Sequence, residues 1–335
     1  MNDFKPNITR RHLLALTGTA AATGFRPAFA ADTAPPPTPD YTKETHVYKT
    51  VGDLEIKADV YRPAGNKARP AILWLHGGAL IIASRALVPR TLQLERYIAS
   101  GYTLISIDYR LAPETKLPEI VKDMEDAYAW VRSAGPDLFN IDPERIAVMG
   151  MSAGAFLTQL AGFRLKPRPK VLVSFYGYGD ITGPWLAEPH PEFNSTPPIP
   201  KEKAFAAVSG APIAASSGSE DVKRNDFNVY CRQSGLWTNE VSGHDPIKEK
   251  AWFADYEARP NITASYPPTI LLHGESDADV PYEQSVMTVK VLAAHGVDHE
   301  FVTNPRWGHA FDYAKMDPDI QQAFDRVSAF LHTHL

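Results

Sequence analysis

The chain has a single cysteine, Cys231, among its 335 residues. An intramolecular disulfide and a cysteine-built metal site are therefore excluded. No stretch reaches about 18 continuous apolar residues, so no membrane-spanning helix is expected. Basic residues are not in excess either: 34 Lys and Arg against 39 Asp and Glu leave a formal charge of −5. That balance supplies no field for nucleic acid or for an anionic membrane surface. What remains is an ordinary globular mixture, 44% apolar and 22% charged, of a length that suits one large α/β domain with insertions. No internal repeat is present.

The N-terminus reads as a targeting segment. Thr9-Arg10-Arg11-His12-Leu13-Leu14 places two arginines before a moderately apolar run from Leu13 to Phe25. Ala28-Phe29-Ala30 then offers a small-x-small cleavage site ahead of Ala31. Paired arginines before a weakly hydrophobic core resemble a twin-arginine export signal. Residues 1–30 are thus expected to engage the twin-arginine export machinery and to direct a periplasmic or secreted protein. Residues 31–44 are rich in proline and read as a tether. The folded domain is expected over residues 45–335.

Within that domain, Thr45 to Val51 and Leu54 to Tyr61 flank Gly52-Asp53 and read as a hairpin with one wetted face. Ala71 to Leu75, Leu104 to Ile107 and Val171 to Tyr176 are nearly continuous apolar runs, the pattern of strands covered on both faces. Helical segments are expected at Val88 to Ser100, Pro118 to Ser133 and Ser152 to Phe163. Later units are a strand at Thr269 to His273, a helix at Tyr282 to His295, a strand at His299 to Val302, and a helix at Asp317 to Leu331. The alternation predicts an α/β fold, a mostly parallel central sheet with an antiparallel start and helices on both faces. It lapses over about residues 177–265, where Trp185, Trp237, Trp252, Phe193, Phe205 and Phe227 gather. That stretch reads as an inserted cap over the carboxyl ends of the strands, or as a crossover whose aromatics form a small core of their own.

Between an apolar strand and a good helix former lies Gly150-Met151-Ser152-Ala153-Gly154. It fits G-x-S-x-G, the sharp turn that lifts a serine hydroxyl from a strand end. A serine needs a base to take its proton and a third group to hold that base. On such an elbow the partners come later in the chain, acid before histidine. Gly274-Glu275-Ser276-Asp277 leaves the strand ending in His273, and Asp277 completes H-G-x-x-D-x-x-V-P with Val280-Pro281. Asp277 is the expected acid, with Asp279 its competitor and Glu275 a distant third. Arg306-Trp307-Gly308-His309-Ala310-Phe311 places His309 in a loop after the last strand, where it is the expected base. An oxyanion hole is expected from the N–H groups of Ala153, Gly77 and Gly78. His76, beside them, reads as a loop brace.

These residues together resemble the α/β-hydrolase superfamily. Asp108-Tyr109-Arg110-Leu111-Ala112-Pro113-Glu114, with His76-Gly77-Gly78, resembles the hormone-sensitive-lipase-like and carboxylesterase branch. Met151 and Ala79 depart from that branch, and the acid loop also resembles dienelactone hydrolases and prolyl-oligopeptidase-type peptidases. The resemblance implies an α/β-hydrolase fold with an inserted cap. It also implies a serine hydrolase that cleaves small-molecule or saccharide-linked carboxylic esters through an acyl-enzyme, with no metal or organic cofactor. A serine peptidase or a dienelactone-hydrolase-like enzyme is the alternative, and a non-catalytic binding protein of this fold a more distant one. The export reading is checked by fractionating cells that express the full chain: replacing Arg10 and Arg11 by lysine is expected to leave the precursor in the cytoplasm, and unchanged export would refute a twin-arginine route.

Overall fold

The computed structural model describes residues 39–89 and 91–335. The expected export signal, and the tether as far as residue 38, lie outside the described residues. The domain starts earlier than the expected boundary at residue 45. Strand β1 (Tyr41–Val51) begins at the second residue after Pro39 and pairs antiparallel with β2 (Leu54–Pro63), Tyr41 opposite Pro63. Once the last proline is passed, each amide N–H can join a ladder, and the Tyr41 ring packs near Tyr61.

Six further strands complete one sheet: β3 (Arg69–Leu75), β4 (Thr103–Ile107), β5 (Ile141–Met151), β6 (Val171–Phe175), β7 (Thr269–Gly274) and β8 (His299–Asn304). Their order is β1-β2-β4-β3-β5-β6-β7-β8. Strand β2 runs antiparallel to both neighbours, and every pair from β4 onward is parallel. The inner strands are buried on both faces, as their unbroken apolar runs require. The chain order reverses between β3 and β5, so a crevice opens between their carboxyl ends.

Helices α1 (Thr91–Ala99), α2 (Leu117–Phe139), α3 (Ala153–Arg164), α9 (Glu283–Ala294) and α10 (Pro318–His334) cover the sheet. Helix α2 runs six residues past its expected end at Ser133. Pro136 removes only one internal hydrogen bond, Gly135 sits tightly against the Ile141 side chain, and Asn140 closes the helix in the left-handed conformation. Helix α3 is buried along nearly its whole length, which is why its sequence is apolar all round.

Five short-to-medium helices fill the stretch between β6 and β7: α4 (Pro184–Ala187), α5 (Pro191–Asn194), α6 (Lys201–Ala206), α7 (Ser219–Ser234) and α8 (Trp237–Ser242). Phe227, Cys231, Trp237 and Val241 are buried in the same apolar cluster as Leu75, Ile105 and Phe156 of the body. The aromatics of this stretch therefore extend the main core instead of forming a separate one. Burial pushes the Cys231 thiol well above its usual range, so it behaves as a core residue.

The Asp108–Glu114 segment is a junction of buried charge. Asp108 accepts from the Arg85 backbone N–H (2.7 Å) and guanidinium (2.6 Å). Arg110 pairs with fully buried Asp123 (2.8 and 2.9 Å), which also receives Lys49 Nζ from β1 (2.6 Å). Glu114 takes a bidentate contact from Arg224 of α7 (2.7 and 2.8 Å), whose remaining donors reach the carbonyls of Ile81 and Ala112 (both 2.8 Å). An Asp123→Ala variant would strand the Arg110 guanidinium with no carboxylate partner. Urea titration is expected to show a loss of about 3 kcal/mol or more at an unchanged m value; a loss below about 1 kcal/mol would show that Asp123 does not hold the 108–114 segment and β1 to α2.

Candidate functional site

The strand ends place the site. Leu75 of β3 lies opposite Gly150 of β5, so the residues two further on, Gly77 and Ser152, come side by side. A Cβ on Gly77 would stand 3.4 Å from Ser152 Cβ. Beyond the sheet the neighbouring chain ends stay zipped: Ser152 N–H donates to Phe175 O (2.9 Å), Tyr176 N–H to Leu272 O (2.7 Å), and Glu275 N–H to Asn304 O (3.1 Å). The loops carrying Ser152, Asp277 and His309 are thereby held in one register.

Ser152 sits at φ 51°, ψ −120°, a strained conformation for a side-chain-bearing residue, and it directly precedes α3. The turn is possible because its flanking glycines meet backbone. A Cβ on Gly150 would lie 2.4 Å from Gly154 O, and one on Gly154 would lie 2.1 Å from Leu75 O. Ala153 opens the helix, where the first N–H groups have no intrahelical acceptor. On the facing loop Gly78 has φ +97°, and its carbonyl accepts from the N–H groups of Ile81 and Ile82 (2.8 and 2.9 Å). The three residues expected to form an oxyanion hole thus border Ser152 from two sides.

Ser152 Oγ is 3.1 Å from His309 Nε2, and His309 Nδ1 is 2.8 Å from Asp277 Oδ2. The structure brings together the serine, histidine and aspartate singled out from the sequence. It gives their competitors other contacts. Glu275 accepts from Thr303 Oγ1 at 2.8 Å. Asp279 lies on the cleft side of the ring, with Oδ2 3.8 Å from His309 Nε2 and Oδ1 3.3 Å from Arg232 Nη1. Neither aspartate caps α9, because Asp277 Oδ1 instead accepts from the N–H groups of Asp279 and Val280 (both 2.9 Å).

The Asp277 side chain is fully buried. Burial alone would raise its pKa, but hydrogen bonds from His273 and His309 outweigh it and hold the carboxyl far below the usual carboxylate range. The converse holds for His309: burial works against its protonated form, yet the Asp277 hydrogen bond and the charges of Asp279, Asp277 and Asp312 leave its pKa above 6.5. The Tyr176 ring stands edge-on to the imidazole at 4.7 Å, and its hydroxyl donates to Asp312 Oδ1 at 2.7 Å. His76 braces the glycine loop. It stacks on Tyr109 at 4.1 Å, its Nδ1 lies 2.7 Å from Gly77 O, and burial lowers its pKa to about 4, so it stays neutral.

Of the cavities that His309 lines, two border the cleft beside α7. One, of about 220 Å³, is lined by Ser152, Gly78, Met151, Tyr178 and Trp237, with a polar wall of Asn225, Asn228 and Arg232 from α7. The other, of about 440 Å³, is mostly apolar and lies between Phe193, Val229, Ala278 and Gly308. Sequence reasoning missed the polar wall, although residues 225, 228 and 232 follow the three- and four-residue spacing of a single helix face. It also missed Tyr176, whose place just beyond β6 was the available signal.

Comparison with known proteins places the fold. The BD-FAE family model matches residues 58–292, more than half of the chain. The chain belongs to the BD-FAE family. Among solved structures, an α/β-hydrolase superfamily protein from Enterococcus faecalis superposes with TM-score 0.68 at 20% identity, over 88% of this chain and 100% of that one. An acetyl ester-xyloside bifunctional hydrolase from Caldicellulosiruptor lactoaceticus gives TM-score 0.62 at 19% identity, over 87% and 96%. The architecture of this BD-FAE member is accordingly the α/β-hydrolase fold. A curated relative, the non-reducing polyketide synthase Preu6 of Preussia isomera, is 27% identical over 86% of this chain. The chain spans only 14% of that protein's length. Because the Asp279 carboxylate helps hold the proton on His309, Asp279→Asn is expected to make the imidazole titrate at lower pH when followed by NMR; an unmoved titration would show that the charge is not felt.

Proposed function

We propose that the protein is a serine hydrolase that cleaves carboxylic esters through an acyl-enzyme. The observation that carries this reading is the continuous line Ser152 Oγ–His309 Nε2–Asp277 Oδ2, at 3.1 and 2.8 Å, beside the glycine loop turned at Gly78. In this reading His309 takes the Ser152 proton as Oγ attacks the ester carbonyl. Asp277 holds Nδ1–H and so fixes the tautomer that leaves Nε2 free to accept. The N–H groups of Gly77, Gly78 and Ala153 receive the developing oxyanion. His309 returns the proton to the departing alcohol, and water then repeats the sequence on the acyl-enzyme.

Family membership and the acetyl ester-xyloside bifunctional hydrolase among the structural neighbours support ester hydrolysis. The cavity that holds Ser152 and Gly78 is small, about 220 Å³, against roughly 300–1,000 Å³ for a typical small-molecule pocket. This supports a short acyl group at the serine. The larger apolar cavity beyond His309 supports an alcohol portion of greater bulk, either a small-molecule alcohol or one joined to a saccharide.

Ser152→Ala is expected to lower kcat on p-nitrophenyl acetate by roughly 10⁴-fold or more and to abolish labelling by a fluorophosphonate probe. Full turnover in that variant would overturn the assignment. Faster cleavage of a dipeptide amide than of a short ester by the wild type would replace it with a peptidase.

A further inference from the structure

The mechanism above gives no part to His273, yet this histidine is fully buried at the carboxyl end of β7, four residues before Asp277. Its ring makes three polar contacts. Nε2 lies 3.1 Å from Val280 O and 3.2 Å from Asp277 Oδ2, and Nδ1 lies 2.7 Å from Ser285 Oγ of α9. Val280 O can only accept, so Nε2 carries a proton; in the neutral ring Nδ1 then accepts from the Ser285 hydroxyl. One N–H is shared between a carbonyl and the carboxylate oxygen that also receives His309 Nδ1.

The consequence concerns rigidity. Asp277 Oδ1 is held by two N–H groups of its own loop, those of Asp279 and Val280. His309 also sits on a loop, past the end of β8. Among the described residues, only His273 ties the carboxylate to the sheet itself. We propose that His273 is a positioning residue for the reaction: its Nε2–H, directed by Val280 and Ser285, anchors Asp277 Oδ2 to strand β7 so that the carboxylate meets His309 Nδ1 in one fixed orientation. The proposal rests on the triad reading of Ser152, His309 and Asp277.

Two substitutions separate this role from packing. His273→Gln can place an amide N–H near the position of Nε2, whereas His273→Asn reaches only the Nδ1 side, toward Ser285. A misplacement of about 1 Å in a catalytic group costs about 10²-fold in rate. The asparagine variant is therefore expected to lose about 10²-fold in kcat, and the glutamine variant to recover at least tenfold of that loss. The pH profile adds a second readout. The groups that face His309 are Ser152, Asp277, Asp279, Asp312 and the Tyr176 ring, and those that face His273 are Asp277, Ser285 and the Tyr282 ring. The glutamine keeps the donation to Asp277 and gives up the Ser285 contact, the asparagine does the reverse, and of these two contacts only the one to Asp277 touches the triad. Without it more negative charge rests on Asp277, His309 holds its proton more tightly, and the acid limb of kcat/KM moves to higher pH in the asparagine variant alone. Equal kcat values and identical acid limbs in the two variants, with the wild type active, would overturn this inference and leave the triad intact. A wild type that neither hydrolyses p-nitrophenyl acetate nor takes a fluorophosphonate on Ser152 would overturn both.

Discussion

Everything at this site depends on one backbone-to-backbone approach. The first turn of α3 lies so close to the end of β3 that a single carbon added at Gly154 would sit 2.1 Å from Leu75 O. With no side chain between them, the helix start and the strand end behave as one piece. The β3–β5 register then sets the serine beside the glycine loop without further adjustment. The strained φ of Ser152 is tolerated because the surrounding backbone leaves the turn no other course. The chemistry assigned to the serine is thus built on main-chain packing, and the side chains named in the mechanism are placed by it.

A second layer of order comes from buried charge. Asp108, Asp123 and Glu114 each hold a cation that arrives from a distant segment: Arg85 from the loop after β3, Lys49 from β1, and Arg224 from α7. Isolated buried charges would be costly, and here each carboxylate has a cationic partner, with a backbone N–H added at Asp108 and Asp123. Tyr109, between them, donates its hydroxyl to His76 O and stacks on the His76 ring. The segment is therefore a scaffold that ties the glycine loop, the first strand and the inserted helices to one point.

The sequence made legible the parts that obey short rules. Strands buried on both faces appear as unbroken apolar runs, and the elbow, acid loop and histidine loop each follow a strand end, so their residues could be numbered in advance. What stayed hidden depends on long-range pairing. That Asp108, Arg110 and Glu114 are anchors could be seen only once residues 49, 85, 123 and 224 were brought beside them. The polar wall of α7 was obscured because its asparagines and arginine look like solvent-facing positions until the helix is known to lie on a cleft. The end of α2 was misjudged for a local reason, since a proline near the last turn costs one hydrogen bond and does not stop the helix.

The inserted helices share the core of the body, and Arg224 clasps both Glu114 and the carbonyl of Ile81. A segment held in this way does not swing as a hinged lid without uncovering apolar surface and breaking a buried ion pair. Selectivity in the proposed reaction is consequently a matter of inlay. Positions 225, 228 and 229, on the cleft-facing side of α7, can change the chemistry presented to a bound molecule while the clasp at position 224 keeps the helix where it is. One helix face serves as an interchangeable wall on a fixed frame.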